Sequence, residues 1–437
     1  MRRSTVTHDA PLSLLRTVFV RKSLIADLSA SGVLVLTELG FLAFLTYLGL
    51  LDPALSQRPI GDSPNYEAMA RHPFSSDPAA CQLPFCWRVL TPWLVHGLNQ
   101  LGLSLQNGFL LVTTISLCGA VIGIYALLRL LGATPWQGLA VALLVQTQYE
   151  FGLNGLWRYE GAVALEYLLL VLAFICYWQD RPRWLLVVLA LGALQREFTL
   201  LAVVAFAGEQ VIRRDWEHLK TYLPAYIVPI LITLALHLAL HPVNRFGDLF
   251  QWLQGNWQLR SNLAGRASTI SLFGNVNPFV LNVYHLTIGS FGLLLPLLLL
   301  QVIHPPYVAR RPVVWIFLLA TAAIVLFVTS DNERLMIIAF PVFAVAAWYE
   351  LRWIAQRTKL PAAAIGFVLV LVQSLFLLGL FYKTVQDFSL IAERLQEPGW
   401  LRVLWLGVLV VIVAATAVTA LWILGAGTRL LYRHALA

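Results

Sequence analysis

A few short stretches of this chain place acids, tyrosines and arginines amid strongly apolar sequence. "GDSPNYEAMA" (61–70) carries Asp62, Tyr66 and Glu67, and "PFCWRVLTPWL" (84–94) carries Arg88 behind Trp87. "NGLWRYEG" (154–161) adds Arg158 and Glu160, "LQREFTLL" (194–201) carries Arg196 and Glu197, and "NERLMIIAFPVF" (332–343) carries Glu333 and Arg334. Arginine's planar fork grips a phosphate bidentately. A carboxylate can take a proton from an attacking hydroxyl. Trp87, Trp93 and Trp157 suit a membrane interface or stacking on a flat ligand. Plainer roles stand beside each. Asp62 lies in a Gly/Ser/Pro/Asn-rich segment that reads as a turn. Arg88 opens an apolar helix and can snorkel to the interface, and Glu333–Arg334 reads equally as a loop-end pair. Arg196 and Glu197 interrupt an apolar run, where charge is costly and commonly functional, although a structural ion pair is open to them. Glu166, deeper in its apolar run than Glu160, falls under the same rule.

The elements that hold these residues follow from composition. Of 437 residues, 59% are hydrophobic and 12% charged, about half the charge of a soluble domain. Repeated apolar runs of about 18 residues or more fit bilayer-crossing helices. They do not alternate with period two, which excludes a β-barrel. The fold class expected is therefore all-α: one polytopic transmembrane domain over 1–437. The net charge of +8 sits in short loops and tails, where it sets orientation and does not point to nucleic acid. The polar, basic start is not expected to be a cleavable signal peptide.

Arg2, Arg3, Arg16, Arg21 and Lys22 mark residues 1–27 as a cytoplasmic tail. The first span is expected at 28–50, then a first periplasmic loop at 52–106, then spans at 107–128, 136–152 and 161–178. The run 184–212 is basic on both flanks, "RPR" before it and "RRDWEHLK" after it. A single crossing would put one of those flanks outside. Two short helices, 184–194 and 198–212, keep both inside and place Gln195, Arg196 and Glu197 at the outer corner of a hairpin. Further spans are expected at 222–241, 286–303, 312–329, 335–351, 362–382 and 402–424. Loops 242–285, 330–334 and 383–400 then face outward, and the basic "RWIAQRTK" (352–359) faces inward. The total is roughly eleven to thirteen transmembrane helices, with both termini cytoplasmic.

That topology gathers the acids and arginines at one depth on the outer face. Residues 89–101 are too short and mixed for a span and read as an amphipathic interfacial helix. Cys81 and Cys86, in the same outer loop, have a spacing that permits a disulfide in an oxidising compartment. His237 and His241 lie one helical turn apart, but without a third ligand no metal site is assigned.

The stretches around Asp62–Tyr66–Glu67, Trp87–Arg88, Arg196–Glu197 and Glu333–Arg334 resemble, in this order, a group of bacterial membrane proteins of the GT-C glycosyltransferase type. The resemblance implies short and long helices around an outer-face cavity and a polyprenyl-phosphate-linked sugar donor. By that resemblance the first-loop acid, Asp62, acts as base, with Glu67 five residues on. Arg88, Arg196 and Arg334 meet the donor phosphate, and Glu197 orients Arg196. Tyr66, Arg158, Glu160 and Glu333 support the site. A divalent metal is left open, as is the acceptor. The location implied is the bacterial inner membrane with the active site periplasmic. The competing class is a multi-pass transporter or flippase for a lipid-linked or anionic substrate, which also uses broken helices and membrane-depth charges.

Overall fold

The computed structural model of the chain describes residues 24–48, 51, 63–73, 87–148, 151–157, 163–239, 293–303, 311–328 and 337–388. All regular structure among them is helical, with no strand. In chain order the helices are α1 (Leu24–Tyr47), α2 (Ser63–Arg71), α3 (Leu90–Gln100), α4 (Leu105–Leu130) and α5 (Pro135–Gln146). They continue with α6 (Leu153–Trp157), α7 (Ala164–Trp178), α8 (Pro182–Gln195), α9 (Leu200–Ile212) and α10 (Trp216–Ala239). The last are α11 (Leu294–Ile303), α12 (Pro312–Val328), α13 (Phe340–Thr358) and α14 (Ala362–Phe388).

Helix starts follow local chemistry. The Ser104 hydroxyl accepts the Asn107 N–H at 3.2 Å, capping α4. Thr134 and Gln137 form a reciprocal capping box with Pro135 in the first turn of α5. Four helical stretches are long and apolar enough to cross a membrane: Ile25–Tyr47, Leu105–Leu130, Trp216–Leu236 and Ile337–Thr358. The first three turn Leu28, Leu36, Ile115, Ile230, Leu231 and similar side chains outward, as helices bathed in lipid do, whereas Ile337–Thr358 is largely buried in the bundle. α7 (Ala164–Trp178) and α8 (Pro182–Gln195) are apolar but shorter. At 1.5 Å per residue a 15-residue helix rises about 22 Å, less than the ~30 Å hydrocarbon core. Among the described residues the multi-span helical character is borne out, and the expected total of eleven to thirteen includes segments that lie outside them.

Several boundaries move. The span expected at 136–152 stops at Gln146, and the short α6 occupies the turn before α7 begins at Ala164. The expected 222–241 starts a turn and a half earlier, at Trp216. The stretch 352–359, expected as a loop, is helical through Thr358. There Arg352 lies 5.1 Å from the Trp348 ring and Arg357 5.0 Å from that of Trp353. Those contacts let the basic residues extend α13 without breaking it. The tail 1–23, the loop 242–285 and the span expected at 402–424 lie outside the described residues.

Contacts sort the helix ends into two groups. At one end Asp27 pairs with Arg129 at 2.8 Å and accepts from the Tyr125 hydroxyl. At the same end Tyr222 donates to Asp180 at 2.7 Å and Tyr177 to Glu209 at 2.8 Å, with Arg213 3.0 Å from Glu209. These contacts tie the residues before α8 to those after α9, so both flanks of the α8–α9 hairpin share one end. Trp136, Trp184 and Trp216, each on the first turn of its helix at that end, are more than half exposed, the placement of an interfacial aromatic belt.

Small residues set the closest helix contact. A Cβ on Gly119 would meet Leu168 Cδ1 at 3.0 Å, and one on Gly123 would meet Val171 Cγ1 at 2.2 Å. Because both partners advance in the same direction, from 119 to 123 and from 168 to 171, α4 and α7 run parallel. Val171 is β-branched and held by its helix, so it cannot yield. Gly123→Ala is expected to cost about 1–3 kcal/mol, read as a lower thermal midpoint of the purified protein, whereas Gly97→Ala, inside α3 with nothing within 4 Å, leaves it unchanged or slightly raised.

Candidate functional site

The segment 87–91 and the hairpin corner are joined by their backbones first. The Val89 N–H donates to Leu194 O at 2.9 Å. The Thr91 N–H and hydroxyl both donate to Gln195 Oε1, at 3.1 and 2.9 Å. A buried glutamine thus acts as the clasp between α3 and α8. On the other side of α3, Trp93 Nε1 donates to Pro73 O at 2.9 Å and His96 lies 2.8 Å from Ala70 O, which holds α2 in place.

The corner turns sharply. After Gln195 one residue, Arg196, is extended (φ −168°, ψ 141°), and Glu197–Thr199 form a single 3-10 turn that leads into α9. A Cβ on Gly192 would lie 2.3 Å from Thr199 Cγ2. Only glycine lets the incoming turn fold back this closely onto α8.

Two arginine–carboxylate pairs sit on this corner. Arg88 Nη2 meets Glu197 Oε1 at 2.7 Å, and its Nε donates to Oε2 at 3.3 Å. The third arm, Nη1, donates to the Tyr66 hydroxyl at 3.1 Å. Arg88 therefore binds three segments that are distant in sequence. Arg196 Nη1 lies 3.5 Å from Glu166 Oε2, and its guanidinium stands 5.0 Å from the Phe198 ring centre. Glu166 is on the first turn of α7, and Glu197 stands just before α9. Both places favour a carboxylate through the exposed helix N–H groups. Tyr66, Arg88, Glu166 and Arg196 are buried.

Electrostatics follow from this packing. Burial alone would raise the Glu197 carboxyl, but the Arg88 charge and hydrogen bonds, helped by Arg196, outweigh it and hold it at about 2. Burial alone would lower Arg88, and Glu197 and Tyr66 reverse that, keeping it well above the usual guanidinium value. Both groups are charged at neutral pH. Arg88 devotes three arms of its fork to protein partners and acts as a tether. Arg196 is the less committed arginine: among the described residues its buried Nε has no hydrogen-bond acceptor. An unfilled charged donor of this kind is where an anionic oxygen would be held.

Of the residues singled out in the sequence, Tyr66, Arg88, Glu166, Arg196 and Glu197 meet here. Glu67 does not join them: it pairs with Arg71, 3.6 Å away on its own helix, and both are substantially exposed. The expectation that Glu197 orients Arg196 is corrected. Glu197 takes Arg88, and Arg196 takes Glu166, because the extended residue and the turn that follows send consecutive side chains to different neighbours. Asp62, Cys81, Cys86, Arg158, Glu160, Glu333, Arg334 and His241 lie outside the described residues. Cys118 and Cys176 are free thiols. Among the described residues no group of three or more His, Cys, Asp and Glu could hold a metal ion.

Two features escaped the sequence reading. In sequence Gln195 is only part of a polar interruption, and its clasp on Thr91 has no sequence signal. Glu38, within α1, is fully buried and accepts a hydrogen bond from Gln146 Nε2 at 2.7 Å. An acid in the middle of an apolar run was the signal that could have found it. No protein-family model matches the chain, and no curated protein matches it.

Proposed function

We propose that the chain is a membrane glycosyltransferase of the GT-C type, taking a sugar from a polyprenyl-phosphate-linked donor at the periplasmic face of the bacterial inner membrane. The observation that carries this reading is the convergence of Tyr66, Arg88, Glu166, Arg196 and Glu197 from four separate segments at one hairpin corner. Glycosyl transfer needs cations for the departing phosphate and a carboxylate for the acceptor hydroxyl. In this reading Arg196, with its unfilled Nε, and Arg334 meet the phosphate. Arg88 contributes charge while holding the corner in place. Asp62, in the segment leading into the helix that presents Tyr66, is the base. Both termini lie on the cytoplasmic side, the lipid-linked donor enters from the bilayer, and the acceptor is a hydroxyl compound.

The test is transfer of radiolabelled sugar from a panel of polyprenyl-phosphate donors by the purified full chain in lipid vesicles. Wild type forms product, and Asp62→Asn reduces the rate roughly 10²–10⁴-fold while donor binding persists. Product unaffected by that change keeps the class and moves the base to Glu160, since Glu67 pairs with Arg71 away from the corner and Arg88 holds Glu197 charged. No turnover with any donor, in protein shown to be folded, favours the second reading, a transporter or flippase for a lipid-linked or anionic substrate. One observation supports that second reading: Glu38, a carboxyl fully buried within a membrane-crossing helix.

A further inference from the structure

We propose that Glu38 binds a proton inside the helical bundle and holds it as a neutral carboxylic acid hydrogen-bonded to Gln146. The inference does not depend on glycosyl transfer.

Glu38 stands nine residues before Tyr47, the end of α1, which is about 14 Å along the helix from that nearer end. The side chain has no solvent exposure. Its Oε2 accepts from Gln146 Nε2 at 2.7 Å, and the same amide nitrogen also donates to Leu34 O at 3.0 Å. Two buried oxygens of this pair, Glu38 Oε1 and Gln146 Oε1, have no hydrogen-bond partner among the described residues. Both are acceptors when Glu38 is ionised. The site is then short of one hydrogen.

Among the described residues, the surroundings of Glu38 offer no cation to supply the balance. The helices packed most closely on α1 are α4, α5 and α6. From α4 the Cys118 thiol lies within electrostatic reach of Glu38 and cannot neutralise it. α5 and α6 carry no titratable side chain. The nearest charged group on α1, Asp27, is committed to Arg129 and Tyr125 at the far end of the helix. A carboxylate buried without a counter-charge is strongly disfavoured and neutralises instead. One proton on Glu38 Oε1 removes the charge and creates a donor. Gln146 Oε1, on the side chain already bonded to Glu38, is the acceptor left open. A single proton thus satisfies both oxygens.

This geometry also couples proton release to movement. Losing the proton leaves a bare carboxylate between α1 and α5, so those helices must part or admit water when it leaves.

The test is infrared spectroscopy of the purified full chain in lipid vesicles at neutral pH, with isotope-labelled glutamate. Wild type is expected to show the carbonyl stretch of a protonated carboxylic acid, shifted by exchange into heavy water. Glu38→Gln loses that band. Gln146→Leu keeps it, displaced to the frequency of an acid without a hydrogen-bond partner, and this variant carries the test if Glu38→Gln fails to fold. Absence of the band in folded wild type overturns the proposal. So does a band unchanged in both variants. A sodium-dependent rise in melting temperature that disappears in Glu38→Gln, with no acid band in wild type, overturns it in favour of a bound monovalent cation.

Discussion

Arg88→Met lowers the unfolding free energy by about 3–5 kcal/mol, measured by denaturant titration of the purified protein in mixed micelles. The loss arises less from the missing bond than from what remains. Glu197 would keep its charge at a corner that Arg88 no longer covers, and the Tyr66 hydroxyl would lose the donor at 3.1 Å. The pair is bidentate and the Arg88 side chain is 7% exposed, against 25% for Glu197, so solvent screening discounts it little. Its pH dependence has a definite sign. The folded carboxyl is held at about 2, below its ordinary 4.5. The folded state therefore binds fewer protons than the unfolded one between those values. Stability from the pair is complete above the ordinary value and is lost as pH falls toward about 2. Glu197→Gln removes this acid-limb dependence. A wild-type profile that is flat over that window, or an Arg88→Met protein as stable as wild type, would show that the corner is held by the Gln195 clasp and packing alone.

The second large effect separates structure from chemistry at Arg196. Arg196→Met and Glu166→Leu, made singly, are each expected to cost about 3–5 kcal/mol, because each strands its partner in a buried site. Made together they remove both charges. Two apolar side chains of similar bulk replace a pair separated by 3.5 Å, and stability returns to wild type or above it. Recognition of an anionic ligand does not return, since the unfilled Nε donor is gone. A double variant that is stable yet fails to bind or turn over a polyprenyl-phosphate donor assigns Arg196 to the ligand. A stable double variant with full activity would make the pair purely structural and leave the phosphate to Arg334. The two experiments read different ion pairs. Arg88 and Arg196 come from different segments and meet different carboxylates, and only the second is expected to separate stability from activity.

The sequence by itself determined the helical, membrane-crossing character, because hydrophobic run length and the low charge content are properties of the chain read in order. It also determined that 184–212 breaks at Arg196–Glu197, since two basic flanks and a polar interruption are local facts. The amphipathic helix after Arg88 was legible in the same way, and α3 occupies residues 90–100 of the expected 89–101. Segment boundaries were less so. Five residues of α6 and the helical "RWIAQRT" depend on neighbouring side chains, such as the tryptophans beneath Arg352 and Arg357.

The pairing of charges was decided only by the tertiary structure. Adjacent Arg196 and Glu197 look like natural partners in sequence, yet one extended residue and a 3-10 turn send them to Glu166 and Arg88, 30 and 109 positions away. Glu38 meets Gln146 across 108 positions for the same reason. Composition and periodicity fix which segments enter the bundle. Which buried charge finds which partner depends on how helices pack side by side, and that contact order is not written in any local stretch of the chain.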